Sequence, residues 1–310
     1  MIAEQTRLTT IQCGDTKCNP AFIVDELKRD QVVMVQDTSA TDADSMVSGV
    51  AIQLGIIDQL ELQAGYASLR GHRDQASSYF MTVDRRSDYQ FLISHSEGDE
   101  STSMQFACFY CHENSTDGGV TILQNVDENS QAWNGLRQQT FRVDLCGLTL
   151  SAADIAMLKA VHLIDLPSAI LNSEDEIIKE IDPPIAGIRR FVALSTPKSG
   201  YSKILKRDVR ACWENVSNPD FSSGEEYLRM LRDLGLLREH ADFNDISRLE
   251  YTYPSKVYRS GVKYSELFKA RIVHKLQPGE MVIQNNLTWT HSATNWTPGS
   301  GERRIVAAFA

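Results

Sequence analysis

What this sequence lacks narrows its function before any motif is considered. Its 310 residues contain no apolar run approaching the roughly 18 to 20 residues that a membrane-spanning helix needs. Excess positive charge is missing as well. The 31 Lys and Arg are outnumbered by 41 Asp and Glu, giving a net charge of −10, and a surface of that sign repels a polyanion. Lys198, Lys203, Lys206, Arg207 and Arg210 are the nearest approach to a basic patch, and they are scattered. The sequence is therefore read as binding neither nucleic acid nor membrane. Met1 to Asp15 shows no basic stretch followed by an apolar one, which would mark a secretory signal, so the expected compartment is the cytoplasm. Cysteine is sparse, with six residues, and in that compartment they are expected as free thiols rather than a disulfide framework. Internal repeats and low-complexity linkers are lacking, so one domain over residues 1–310 is expected.

Two motifs invite readings that the composition rejects. Cys108-Phe-Tyr-Cys111-His112 matches the attachment pattern of a c-type haem, which is loaded after export, and nothing here directs export. The run lies in a β-like stretch, where cysteine serves as a small buried hydrophobe. The four Asn-x-Ser/Thr triplets at Asn114, Asn215, Asn286 and Asn295 carry no meaning without secretion.

The residues present alternate between strand and helix patterns. Gln31 to Gln36 is a β-branched run suited to a buried strand. Met46, Val47, Val50, Ala51 and Leu54 fall at helical spacing behind Asp42 and Asp44, predicting a helix over 42–54. Strands are expected at 79–83, 89–94, 105–110 and 120–125. Ser151-Ala-Ala-Asp154 reads as a capping box opening a helix to Leu163. A second helix is expected over 223–237, after a turn at Asn218-Pro219-Asp220, with strands at 188–194 and 201–209 between the two helices. The end returns to β, at 269–276, 280–283 and 304–309, with a turn at Pro278-Gly279. Many short strands with helical inserts define a mainly β chain, a barrel or a double-sheet jelly roll.

Two distant segments carry chemistry only when taken together. In Ile93-Ser-His95-Ser-Glu97, an extended chain puts His95 and Glu97 on one face. Pro278 to His291 is a strand-like segment ending in another histidine. Two imidazoles and one carboxylate form the facial triad that suits non-haem Fe(II) and leaves coordination positions open.

His95-Ser-Glu97, Gly118-Gly119-Val-Thr121, Asn285-Asn286-Leu-Thr-Trp-Thr-His291 and Arg303-Arg304 stand in an order and spacing that resemble the taurine dioxygenase and clavaminate synthase-like family of Fe(II)- and 2-oxoglutarate-dependent oxygenases. The resemblance frames residues 95 to 304. It implies a double-stranded β-helix, or jelly roll, with a partly helical lid or insert around 150–260. It also implies iron held by His95, Glu97 and His291, 2-oxoglutarate on two further positions, and O2 on the last. The distal carboxylate of the co-substrate needs a fixed cation, for which an arginine fork is the best match. Arg304, directly before Ile305-Val306, is the first choice and Arg303 the second, since neighbours on a strand face opposite ways. Thr121 would add a hydroxyl donor. Taken alone, Gly118-Gly119 is a hairpin turn and Thr121 a strand former.

The implied reaction decarboxylates 2-oxoglutarate to succinate while an unactivated C–H bond of a small molecule is hydroxylated, desaturated or cyclised. A carboxylate at Glu97 argues against halogenation. Glutamate in place of aspartate resembles the branch acting on free or carrier-bound amino acids. The family's further arginine is missing from Ala307-Ala308-Phe309-Ala310, which argues against an acidic substrate held in that way. Arg189, Arg190, Arg207 and Arg210 are expected as surface charges, and Trp289 and Trp296 as packing residues. Two alternatives stand beside this reading: a metal-dependent hydrolase using the same three ligands, or a non-catalytic jelly-roll binding module, which would need none of them.

Overall fold

The computed structural model describes residues 4–5, 8–13, 19–69, 73–83, 94–97, 104–162, 164, 166–196, 199–210, 222–238, 258–259 and 266–310. After β1 (Glu4–Gln5) and β2 (Thr9–Gln12), helix α1 (Pro20–Lys28) starts where the Asn19 side chain accepts from the Ala21 N–H at 2.9 Å. Pro20 occupies the first helical turn, where its missing N–H costs nothing. Strand β3 (Val33–Gln36) leads into α2 (Ala40–Leu54), capped by Ser39 and ended by Gly55 at φ 68°. Then come α3 (Ile57–Leu69), β4 (Met81–Thr82), β5 (Phe106–Asn114), β6 (Thr121–Val126) and the short α4 (Gln131–Asn134). Next are β7 (Leu136–Asp144), α5 (Ala152–His162), β8 (Glu176–Ile181), β9 (Arg189–Ser195), β10 (Ser199–Ser202) and β11 (Arg207–Arg210). The chain closes with α6 (Ser222–Asp233), β12 (Tyr258–Arg259), β13 (Phe268–His274), β14 (Met281–Asn285), β15 (Trp289–Ala293) and β16 (Arg303–Phe309).

Two sheets matter for function. One has the order β2-β3-β14-β5-β16-β4 and the other β1-β13-β6-β15. Side-chain alternation sorts each strand into an inner and an outer set. From the first sheet, Ala107, Phe109, Cys111, Val282, Ile305, Ala307 and Phe309 face inward and pack with Leu123, Ile272 and Trp289 of the second. The other faces of those strands, Phe106, Cys108, Tyr110, Met281, Ile283, Val306 and Ala308, pack beneath α1, α2 and α3. Helix α6 covers the outside of the second sheet, with Tyr227, Leu228 and Leu231 against Ile122 and Phe268. Each fully buried Val, Leu, Ile or Phe contributes roughly 1.5–3 kcal/mol. The apolar interior between the two sheets is thus held on both sides.

A third sheet, β12-β7-β9-β8, packs with α5 around Val143, Leu158, Ile164 and Ile188. The predicted capping box is present: Ser151 Oγ accepts from the Asp154 N–H at 3.1 Å, and Asp154 accepts from the Ser151 N–H at 3.2 Å. Expectation and structure part in several places. The strand read over 201–209 is a hairpin, β10 paired with β11, because the chain turns at Ser202 to Lys206, with Lys206 at φ 56°. Most of the strand expected at 89–94, and the turn at 218–220, lie outside the described residues. Helices α1 and α3 and strands β7 and β8 were not foreseen. Cys13 is disulfide-bonded, against the expectation of free thiols, because compartment arguments say nothing about which sulfurs the fold brings together. Cys108, Cys111 and Cys146 are free. Cys108 points outward under the helices and Cys111 inward. They lie on opposite faces of one strand, so they cannot hold one haem. Burial pushes the Cys108 thiol well up and the Cys111 thiol to about 11, as for inert core cysteines. No helix among the described residues is long and apolar enough to cross a membrane.

Candidate metal centre

The inner face of β15 carries Trp289 and then His291. Beside it the short segment 94–97 forms an isolated antiparallel bridge: the His95 N–H donates to the His291 carbonyl at 3.0 Å and the His291 N–H to the His95 carbonyl at 2.8 Å. Residues directly opposite in such a pair present their side chains on the same face. The imidazoles accordingly lie 4.6 Å apart, and Glu97, two residues along, joins them. Glu97 Oε1 is 3.8 Å from Nε2 of both His95 and His291, and the three potential ligand atoms all lie within 4.8 Å of one another.

Neighbouring groups fix this geometry. Asn286 clamps the Glu97 backbone, accepting from its N–H at 3.1 Å and donating to its carbonyl at 2.9 Å and to that of Met104 at 2.8 Å. The Ser94 and Thr290 hydroxyls meet at 2.8 Å in the interior. His291 packs on Phe109 at 4.6 Å, and its Nδ1 lies 3.2 Å from the buried Gln284 amide. Arg73, from the segment after α3, reaches the two Glu97 oxygens with Nη2 at 3.1 and 3.2 Å and lies 5.1 Å over the Phe309 ring.

Charge follows from these contacts. Burial disfavours an ionised Glu97, but Arg73 and then the two imidazoles outweigh it and hold the carboxyl well below the usual range. Burial, with the adjacent His95 and Arg73, brings His291 down to about 4. It is therefore neutral at physiological pH, the form that can give a metal a lone pair. One carboxylate and two imidazoles thus offer ligand atoms that all lie within 4.8 Å of one another, close enough to converge on a single ion. The donor set is that of the facial triad.

The remaining predicted residues divide. Thr121, buried at the start of β6, sits opposite Ala293 on β15, while His291 sits opposite Leu123. Thr121 and His291 therefore share the inner face. On β16, Arg303 alternates with the inward Ile305, Ala307 and Phe309, lies only partly exposed, and stacks 5.6 Å from the Trp296 ring. Arg304 faces outward and is exposed. The strand thus turns Arg303 to the interior and Arg304 away, the reverse of the expected preference. Gly118-Gly119 is more than a turn. Gly119 stands at φ 63°, and a Cβ there would meet Arg303 Cδ at 2.8 Å; a Cβ on Gly118 would meet the Asn295 carbonyl at 1.9 Å. Arg189 pairs with Glu180 and Arg207 with Glu128, while Arg190 and Arg210 lie over Phe141 and Trp133. Trp289 packs in the interior with its Nε1 on the Asp30 carbonyl at 2.9 Å.

Sequence reasoning missed Arg73, Gln284 and Phe109 and gave Asn286 no role. Arg73 carries no motif; Asn286 could have been found, since it lies within the Asn285-to-His291 run.

No protein-family model matches this chain, and no curated protein does. Several solved structures similar to it are described as oxygenases or dioxygenases. AAD-2, in complex with Mn(II) and N-oxalylglycine, is 13% identical at a TM-score of 0.41, covering 100% of this chain and 98% of its own. A taurine dioxygenase from Burkholderia xenovorans is 11% identical at a TM-score of 0.38, covering 100% and 89%. The non-haem iron oxygenase OrfP, in complex with Fe and alpha-ketoglutaric acid, is 11% identical at 0.37, covering 94% and 78%.

Proposed function

We propose that this protein is a non-haem Fe(II)- and 2-oxoglutarate-dependent oxygenase with a jelly-roll core, acting on an unactivated C–H bond of a small molecule. The observation that carries the reading is the convergence of His95, Glu97 and His291, from segments far apart in sequence, on one inner face of a two-sheet interior. Iron with 2-oxoglutarate and O2 supplies an oxidant strong enough for such a bond. The chain supplies the rest. His95, Glu97 and His291 would hold the ion, with Glu97 anionic and His291 neutral. Phe109, Phe309 and Trp289 line a dry interior that keeps water from the reacting carbon. Arg303, braced by Trp296 and Gly119, takes the distal carboxylate of the co-substrate, and Thr121 adds a hydroxyl donor. Glu97 keeps the site from accepting a halide in its own place. A free or carrier-bound amino acid, or a derivative, is the substrate class favoured by glutamate at this position; the expected insert around 150–260 lies in part outside the described residues.

The test is spectroscopic. Anaerobic protein with Fe(II) and 2-oxoglutarate should develop a weak charge-transfer band at roughly 500 nm. Arg303→Ala should weaken 2-oxoglutarate binding by about thirtyfold, as expected when one partner of a charge-assisted pair is removed, whereas Arg304→Ala should leave it within about twofold. Iron-loaded protein without the band would sink the co-substrate assignment and bring the metal-hydrolase alternative forward.

A further inference from the structure

We propose that Arg73 fixes Glu97 as a one-oxygen ligand and so keeps metal positions open for the co-substrate and dioxygen. This inference rests on the metal-dependent reading above and concerns a residue outside the ligand set. The two oxygens of Glu97 are not equivalent. Oε1 is the one nearest both imidazoles, at 3.8 Å from each Nε2. Arg73 Nη2 bridges the two oxygens, 3.1 Å from Oε1 and 3.2 Å from Oε2, so what distinguishes Oε1 is its nearness to the imidazoles. An ion held by His95, His291 and Glu97 would draw on Oε1, and the guanidinium would then be left with Oε2 as its partner.

Glutamate is long enough to turn both oxygens onto one ion, as carboxylates do at other metal sites. A bidentate Glu97 would consume a position that a chelating 2-oxoacid needs. Arg73 is well placed to prevent that. Its head is located by three contacts: Glu97, the Met81 Sδ at 3.8 Å from Nη1, and the face of Phe309. Its charge is permanent, so it cannot itself become a ligand. The same charge repels a divalent ion. Arg73 therefore lowers metal affinity and raises co-substrate affinity, and a variant separates these two effects.

The experiment uses Mn(II) as the metal probe. Mn(II) affinity is read from the free-ion paramagnetic resonance signal, and 2-oxoglutarate affinity from titration into the Mn(II)-loaded protein. Arg73→Met removes a like charge beside the ion and should bind Mn(II) about tenfold more tightly, while binding 2-oxoglutarate about tenfold more weakly. A purely structural role would weaken both. Arg73→Lys keeps the charge but loses the planar fork. It should keep wild-type Mn(II) affinity and lose part of the 2-oxoglutarate affinity, and it decides the matter if the Met variant does not fold. Mn(II) binding in Arg73→Met that is unchanged or weaker overturns the proposal, as does wild-type behaviour of Arg73→Lys toward 2-oxoglutarate. If the wild-type protein fails to bind 2-oxoglutarate, the co-substrate reading falls, and tighter or unaltered Mn(II) binding in Arg73→Met still decides the role of Arg73.

Discussion

Among the described residues, two arginine–carboxylate pairs are largely withdrawn from solvent, and they are finished differently. In the third sheet, Arg142 Nε donates to Asp175 Oδ2 at 3.0 Å and to Ser195 Oγ at 3.1 Å, and Nη1 donates to the Ser168 carbonyl at 3.0 Å. Asp175 also accepts from the Ser195 hydroxyl and from the Asn172 N–H at 3.0 Å. Both side chains are nearly sealed, at 6% and 1% exposure. At the metal centre, Arg73 and Glu97 are 28% and 20% exposed, and the carboxylate is shared with two imidazoles. A buried ion pair recovers its desolvation cost only when its remaining donors and acceptors are satisfied. Arg142 and Asp175 meet that condition internally and act as structure. Glu97 instead shares one oxygen between the two imidazoles, 3.8 Å from each Nε2, and keeps the other on Arg73 Nη2 at 3.2 Å.

The largest test of this contrast is at the sealed pair. Arg142→Met strands Asp175 in the interior and should lower unfolding free energy by about 3–5 kcal/mol in urea titration, with Mn(II) affinity of the folded fraction unchanged. If Mn(II) affinity fell in step, the two pairs would not be independent. At the metal centre, Glu97→Ala should reduce Mn(II) affinity by about a hundredfold, or about 2.7 kcal/mol, while the urea midpoint stays near wild type. A large loss of stability there would mean that the Arg73–Glu97 pair is structural as well. The smallest effect is expected beside Arg303. Gly119→Ala forces a side chain into φ 63° and against Arg303 Cδ. It should cost about 1–2 kcal/mol of stability and weaken 2-oxoglutarate binding less than Arg303→Ala does. Unchanged 2-oxoglutarate binding would detach the glycine pair from the co-substrate site.

Much of the framework was readable before folding. Strands β3, β5, β6, β14 and β16 announce themselves as β-branched or apolar runs, and α2 by helical spacing between Ser39 and Gly55. Helix α1 was missed although its Asn19-Pro20 start is a capping signal, because its apolar residues do not form a long periodic stripe. The hairpin of β10 and β11 was read as one strand because its turn contains neither Gly nor Pro; Lys206 supplies the positive φ instead.

His95 and Glu97 could be placed on one face from sequence because strand alternation is local. Their meeting with His291 was implied by the family resemblance rather than by any local pattern, since it depends on a register in which Ser94 and Thr290, 196 residues apart, touch. The choice between Arg303 and Arg304 was narrowed to one of the two by alternation alone. Packing decided which of the two faces inward, by setting Ile305, Ala307 and Phe309 inward and carrying Arg303 with them. Arg73 was invisible to any pattern, because a guanidinium reaches its carboxylate through space and leaves no period in the chain. Sequence by itself determined what repeats over a few residues: element type, facing, and the kind of ligand available. Tertiary structure alone decided which of those faces meet, because register and sheet stacking are set by the summed burial of the whole interior rather than by any one segment.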